Sequence, residues 1–323
     1  MSMRFIDLFC GIGGFRQALE GCGHTCVFSS DWDKDAQFSY FQNYGERPVG
    51  DLTEVNVSEV PEYEVLCGGF PCQPFSISGN QEGFDDARGT LLHEIIRMAR
   101  HHRPSVLFLE NVKNYLSHDK GRTLATTVRL LERAGYAVSY QVLNASRFGV
   151  AQKRERLYFV CLRRDLGLKD FCFPEPTDDD LVLEDLLLPA EDPRLGDLVI
   201  ERSDLRLSSE LPTQRENRPL RIGTVGKGGQ GERVYSPKGH AITLSAYGGG
   251  IGAKTGMYLV EDRVRRLHPE ECRRIMGFAE DFRLHPRQNV CYRQFGNSVA
   301  VPVVKRIFQA IERVLDSKTL QAA

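Results

Sequence analysis

Short apolar runs alternate with helix-length segments through the first half of the chain. FIDLF leads into a helical stretch from about Gly14, CVFSSD into one over about Lys34 to Tyr44, and EVLCGGF into one over about Thr90 to His102, after which SVLFLENV follows. A helix near Thr123 to Ala134 and the strands AVSYQVL and RLYFVCL continue the series. Strands spaced by helices predict an α/β architecture, a doubly wound and mostly parallel sheet whose strands are buried. After Phe173 the texture changes. PEPTDDD is a proline- and aspartate-punctuated boundary, and Arg221 to Tyr258 is rich in glycine. Ile222, Val225, Val234, Tyr235, Ile242, Leu244, Tyr247 and Tyr258 give that stretch core material a solvated linker would lack, so it predicts loops and short strands of a smaller domain. From His268 the pattern is helical again, and Val303, Val304, Ile307, Ile311 and Leu315 trace one face of a terminal helix.

The 323 residues allow two domains at the usual size of about 150 residues each. With 41% hydrophobic and 26% charged residues, and no apolar run near the roughly 20 residues of a membrane span, the composition excludes a membrane protein. MSMRFIDLFCGIGG passes straight into strand and glycine without a leader pattern, so the expected location is cytoplasmic. Nine cysteines, an odd number with no CxxC or zinc-type spacing, predict reduced thiols and no metal site. The net charge of -1 is uninformative, but its distribution is uneven. Acid dominates from Glu175 to Asp197, and base dominates from Arg215 to Lys238 and again from Arg263 to Arg274.

Candidate chemistry clusters where strands end. Asp7 to Phe15 follows an apolar strand and opens a helix, with glycines that let backbone approach a ligand. A dinucleotide fingerprint would carry a third glycine where Arg16 stands, so a nucleoside-like ligand without pyrophosphate fits better. Asp31, closing the second strand, can accept from ribose hydroxyls, and Trp32 can cover an adenine. The simpler alternative is a tight strand-to-helix turn with a capping carboxylate. Gly69 to Ser76 sets Cys72 between Pro71 and Pro74, the rigid placement a nucleophile needs, whereas Cys10, Cys67 and Cys161 sit in apolar strand contexts and read as packing. Glu110 and Asn111 close SVLFLENV at the same sheet edge, and Gln152 to Arg156 precede RLYFVCL, where period two would put Arg154 and Arg156 on one face.

Taken in order, these segments closely resemble the cytosine-5 DNA methyltransferases. DLFCGIGGF resembles the family's S-adenosylmethionine loop, Asp31 and Trp32 its ribose and adenine contacts, and Gly50-Asp51-Leu52 its adenine-edge segment. GGFPCQPFS resembles the nucleophile loop, Glu110-Asn111-Val112 the glutamate motif, Gln152 to Arg156 the QxRxR motif, and Arg293 to Val299 the closing motif. Asp31 departs from the family's usual glutamate, and Cys10 from its usual alanine. The resemblance implies catalytic roles for Cys72, Glu110, Arg154 and Arg156. Cys72 would add to C6 of an extruded cytosine so that C5 can accept a methyl group, Glu110 would offset charge at N3, Arg154 would lie near the O2 edge, and Arg156 would buttress the site. It implies S-adenosylmethionine held by Phe9, Gly11, Ile12, Gly14, Asp31, Trp32, Asp51, Leu52, Pro71, Leu91 and Asn297, with no metal. It implies double-stranded DNA as partner, contacted through Ser78, Arg221, Lys227, Gln230, Arg233, Thr243 and Tyr247, with Gln230 and Ser78 filling the gap left by the base and the loop from Ser76 to Gly89 closing over the duplex.

GKGGQGERVYS, AITLSAYGGGIGAKTG and ISGNQEGFDDARGTL resemble those members that methylate the inner cytosine of GCGC. The implied domains are a catalytic, cofactor-binding one over 1–183, target recognition over 184–266, a hinge over 267–294 and a return over 295–323. The implied setting is a monomer on DNA, no membrane, and a cognate restriction endonuclease as functional partner. A tRNA-methylating enzyme, a non-catalytic DNA-binding regulator and a nicotinamide dehydrogenase are the alternatives; the glycine-rich region argues against the first, Cys72 with Glu110 and Arg154 against the second, and Arg16 against the third.

Overall fold

The computed structural model describes residues 2–70, 91–168, 171–177 and 179–321, which form two compact units. The first comprises Met1–Leu143, Glu155–Glu175 and Val304–Ala323, and the second Asn144–Arg154 and Pro176–Val303.

In the first unit the sheet begins with β1 (Arg4–Leu8), which leads through the glycine loop into helix α1 (Gly14–Glu20). Strand β2 (Thr25–Ser30) precedes α2 (Lys34–Tyr44), which starts where the Asp33 carboxylate accepts from the amides of Asp35 and Ala36 and stops at Gly45 with φ of 74°. Strand β3 (Val65–Gly69) is followed by α3 (Leu91–His102), whose Leu92, Ile95, Ile96 and Ala99 form one buried stripe. Then come β4 (Val106–Val112), α4 (Arg122–Arg133), β5 (Tyr136–Asn144) and β6 (Glu155–Arg163). The sheet order is β2-β1-β3-β4-β6-β5. The pairs β1/β2, β1/β3 and β3/β4 are parallel, and β4/β6 is antiparallel. Phe5, Ile6, Leu66, Leu107 and Phe159 at its centre are fully buried, as a sheet covered on both faces requires.

One expectation needs correction. Strand β5 is not buried: it lies at the sheet edge, and most of its residues are partly or fully exposed, because only one side of it has a neighbouring strand.

The second unit carries a five-stranded sheet in the order β11-β10-β9-β8-β7. These strands are β7 (Arg206–Leu207), β8 (Leu220–Thr224), β9 (Arg233–Ser236), β10 (Met257–Val260) and β11 (Arg263–Arg265). Ile222, Val225, Val234, Met257 and Val264 form its core, which is why the glycine-rich stretch is structured. Helices α5 (Pro269–Met276) and α6 (Gln288–Asn297) follow, and α7 (Val301–Gln321) ends the described chain. This unit takes in more than 184–266. Ala151 and Lys153 bond to the backbone of Ala241, which draws 144–154 into it.

Much of the second basic run is structural. Arg265 makes a two-pronged pair with the fully buried Glu271, at 2.7 and 2.8 Å, and Glu271 also accepts from the amides of Leu188 and His268. Arg273 pairs with Glu270 at 2.6 Å. Removing one member of a buried pair strands the other charge, so Glu271→Ala should lower unfolding free energy by about 3–5 kcal/mol. Urea denaturation followed by circular dichroism checks this; a loss under 1 kcal/mol, the scale of an exposed pair, would contradict it.

Candidate active site

The parallel register brings the strand ends to one edge. Leu8 is level with Ser30 and with Gly68, and Gly69 with Glu110, so the glycine loop, Asp31, Phe70 and Glu110 all emerge together. Within the loop Phe9, Gly11 and Gly13 have positive φ of 56°, 55° and 81°. For Phe9 this is a strained conformation held by its surroundings. A Cβ placed on Gly11 would meet nothing within 4 Å, so the backbone there borders open space.

Asp31 accepts the Gly11 amide at 2.7 Å on one oxygen and the Asp33 amide at 2.9 Å on the other, which locks the end of β2 to the loop. Burial raises its carboxyl above the ordinary value. Beside it Trp32 is 76% exposed, an unusual placement for a large aromatic that leaves much of its ring to solvent. Asp51 caps the turn Leu52–Glu54 through the Thr53 amide and hydroxyl, and Leu52 beneath it is buried. Ile12 is buried, Gly14 opens α1 and Leu91 opens α3. Asn297, at the exposed end of α6, belongs to the second unit. Pro71, Cys72 and Ser78 lie outside the described residues, as does the segment from Ser76 to Gly89.

Asp7, quoted above only as the first residue of the loop segment, has a definite place. It is fully buried, one carboxyl oxygen accepts the Arg16 amide in the first turn of α1, and its other oxygen has no hydrogen-bond partner among the described residues. The capping alternative therefore holds for Asp7, while Asp31 bonds to the loop itself. Burial pushes the Asp7 carboxyl well above its ordinary range. Its sequence signal was an acid inside an otherwise apolar strand.

At the end of β4 the two motif residues have separate tasks. Asn111 donates to the carbonyl of Phe70 at 2.9 Å and so ties the last described residue after β3 to β4. Glu110 pairs with Arg156, Oε1 to Nε at 3.1 Å, both side chains being largely buried. At Gly69 an added Cβ would lie 3.5 Å from the other oxygen of Glu110.

The two arginines expected on one face part company. Arg154 precedes β6 and is buried, donating to the carbonyls of Leu244 (3.1 Å), Gly296 (2.9 Å) and Ser298 (2.5 Å) within the second unit. Gln152, also buried, accepts the Leu244 amide at 3.1 Å. Arg156 lies on β6 opposite Val112, where antiparallel pairing with β4 carries its guanidinium to Glu110. Three backbone carbonyls thus hold Arg154, and Arg156 pairs with the Glu110 carboxylate.

In the second unit the β8–β9 connection carries exposed Lys227 and Gln230, with exposed Arg221 on β8 and Arg233 opening β9. Its glycines serve backbone packing. The Gly252 amide donates to the Gly231 carbonyl at 2.8 Å, and a Cβ on Gly231 would fall 2.2 Å from the Gly249 carbonyl oxygen. Glu232 closes the turn by accepting the Gly229 amide at 2.9 Å. Tyr247 is 75% exposed, and the Thr243 hydroxyl donates to the Lys153 carbonyl.

A family model described as C-5 cytosine-specific DNA methylase matches residues 3–313. The chain belongs to that family. It is 51% identical to the type II methyltransferase M.HhaI of Haemophilus parahaemolyticus over 98% of this chain and 96% of that one. It is 36% identical to the type II methyltransferase M.HpaII of Haemophilus parainfluenzae over 97% of this chain and 91% of that one. The fold is also similar to the Dnmt2 methyltransferase of S. pombe, with a TM-score of 0.73 at 18% identity over 97% of this chain and 99% of that one. The chain is thus a DNA cytosine-5 methyltransferase with an α/β methyltransferase fold, and the dehydrogenase reading falls.

The two arginines should separate by experiment. Arg154→Met leaves three carbonyls without their donor and should cost about 3–5 kcal/mol of stability. Arg156→Met strands the largely buried Glu110 and should also cost about 3–5 kcal/mol, and below its melting temperature it should in addition lower kcat by about 10²–10³-fold, the scale of a lost electrostatic contact in a reacting site. Thermal melts and single-turnover methylation on both variants check this; a kcat lowered in Arg154→Met and unchanged in Arg156→Met would overturn it.

Proposed function

We propose that this methyltransferase uses S-adenosylmethionine to methylate the inner cytosine of GCGC in double-stranded DNA, as the modification partner of a restriction endonuclease in the cytoplasm, acting as a monomer on DNA. The observation that carries the reading is 51% identity to M.HhaI over 98% of the chain, beside the resemblance of GKGGQGERVYS and SAYGGGIGAKTG to the members that methylate GCGC. Among the described residues no helix is long and apolar enough to cross a membrane.

The residues present suit the methyl donor. A loop with open space at Gly11, a carboxylate at Asp31, an exposed ring at Trp32 and the Asp51–Leu52 turn match the ribose and adenine of a nucleoside; the family resemblance would add Phe9, Ile12, Gly14, Pro71, Leu91 and Asn297. When bound, S-adenosylmethionine supplies an electrophilic methyl group. Asp31 keeps acceptor capacity after taking two amides, since each carboxylate oxygen carries two lone pairs.

C5 of cytosine is a weak nucleophile, and the proposed task of Cys72 is to add its thiolate at C6 and so move electron density to C5. Glu110 as the protonated carboxyl would donate to N3 to offset the charge that builds there, while Arg156 fixes the orientation of its carboxyl group. Loss of the C5 proton and expulsion of the Cys72 thiolate then restore the base and the enzyme. A stacked base cannot meet Cys72, so the cytosine must leave the duplex at a cost of roughly a few kcal/mol, which Gln230 and Ser78 would offset by filling the gap. Within 184–266, taken as the recognition part, Arg221, Lys227, Arg233, Thr243 and Tyr247 would contact bases or phosphates.

Bisulfite sequencing of a plasmid incubated with protein and S-adenosylmethionine should show protection at the inner cytosine of GCGC. Protection in another context would overturn the target, and methylation of tRNA in preference to duplex DNA would overturn the substrate. Cys72→Ser should lower methyl transfer by at least about 10³-fold while duplex binding, read by gel shift, stays within a few-fold of the parent. Equal loss of both would mark Cys72 as a structural thiol.

A further inference from the structure

The glycine loop is braced from α1 and α2 by a cluster that the methyl-transfer chemistry above leaves unused. The Arg16 guanidinium lies 4.5 Å from the centre of the Tyr44 ring and 5.4 Å from that of Tyr40. It donates to the Tyr40 hydroxyl at 3.1 Å, to Glu20 at 2.8 Å and to the carboxylate of Glu46. The two tyrosine rings meet with centroids 4.6 Å apart. Held in this way at the last residue of α2, Tyr44 donates its hydroxyl to the carbonyl of Gly13 at 3.1 Å, and the Ile12 carbonyl lies 3.5 Å away. The fit is close: a Cβ on Gly13 would fall 2.5 Å from the Tyr44 ring and 2.6 Å from its hydroxyl oxygen. Burial pushes the Tyr44 phenol up, so it stays a proton donor at any working pH.

We propose that Tyr44 is a positioning residue for cofactor binding, its hydroxyl holding the Ile12–Gly13 backbone in the form that presents the glycine loop to S-adenosylmethionine. This rests on the reading of that loop as the methyl-donor site. The loop needs such a brace. Phe9, Gly11 and Gly13 all occupy left-handed conformations, and glycine at two of those positions leaves the backbone other states of similar energy. A ligand that binds one loop conformation is weakened in proportion to the fraction of protein lacking it. A hydrogen bond to the loop carbonyl therefore acts on cofactor affinity without touching the reacting atoms, and once the site is saturated its effect on turnover vanishes.

Tyr44→Phe is the direct test, since the ring against Arg16 is kept and only the donor is lost. S-adenosylmethionine is titrated by calorimetry and by fluorescence of Trp32, the sole tryptophan of the chain. Steady-state methylation then gives KM for each substrate and kcat. The expected result is a Kd and a cofactor KM raised about three- to tenfold, as one neutral hydrogen bond predicts, with kcat and the KM for DNA unchanged within a factor of two. An unchanged Kd with a lowered melting temperature would overturn the proposal and leave Tyr44 a packing residue. A parallel change in kcat and both KM values would overturn it too, as general loosening. Failure of the parent protein to bind S-adenosylmethionine at all would instead overturn the cofactor reading, and the role of Tyr44 with it.

Discussion

Backbone pairing across β2, β1, β3 and β4 is the constraint on which the rest of the chemistry depends. Parallel ladders set Leu8 beside Ser30 and Gly68, and Gly69 beside Glu110. Because side chains alternate along a strand, a slip of one residue would turn Glu110 away from the face it shares with Arg156 and would lift Asp31 from the Gly11 amide. The buried side chains forbid that slip: Ile6, Leu66, Leu107 and Leu109 occupy one core cluster, and a shifted register would exchange them for their neighbours on the other face. Strand pairing, with leucine and isoleucine packed behind it, thus fixes the positions of Asp31 and Glu110. The same ladder anchors Asn111 where it can bond the Phe70 carbonyl.

Glycine has two different uses in this protein. In the loop after β1 it supplies left-handed backbone, and Gly11 has open space where a side chain would stand. In the second unit the decisive positions are those where two backbones touch. Gly231 and Gly239 would carry a Cβ 2.2 and 2.4 Å from the carbonyl oxygens of Gly249 and Arg218 respectively, distances at which the main chain itself would have to move. The glycine-rich stretch is therefore a packed structure whose loops are sealed by main-chain contact, and its exposed Lys227 and Gln230 project from a supported base. Rigid support matters because an interface that must order itself on binding loses affinity to that ordering.

Most of this was legible in the sequence because the signals are local. Period and spacing placed β1 to β4, the helices between them and the terminal helix, and motif order placed the glycine loop, Asp31 and Glu110 on one edge. Non-local features escaped. That β5 is an edge strand depends on sheet order, which no window of sequence contains. The parting of Arg154 and Arg156 could not be seen from alternation, since it turns on whether the residue belongs to β6 or precedes it, and on three carbonyls some 90 to 144 residues away. Tyr44 escaped for the same reason: its partner carbonyl at Gly13 lies 31 residues upstream, and the last residue of a helix gives no sign that its hydroxyl points at the glycine loop. Where an arginine stood in place of a third glycine, Arg16, the sequence argued against a dinucleotide but did not reveal the cation that holds both tyrosines.

The thiols of the described residues differ in burial, and burial governs their reactivity. A thiol must ionise to act, and removing it from water disfavours the anion. Burial pushes Cys10, Cys67, Cys161 and Cys272 far up, Cys26 to about 12 and Cys291 to about 11, and Cys22 upward as well. At neutral pH such groups are small hydrophobes, and Cys10, which replaces the family's usual alanine in the glycine loop, is tolerated there for that reason. The remaining described cysteine, Cys172, is exposed and follows β6 rather than a strand end at the edge where Asp31 and Glu110 emerge. None of the described cysteines therefore sits unburied at that edge.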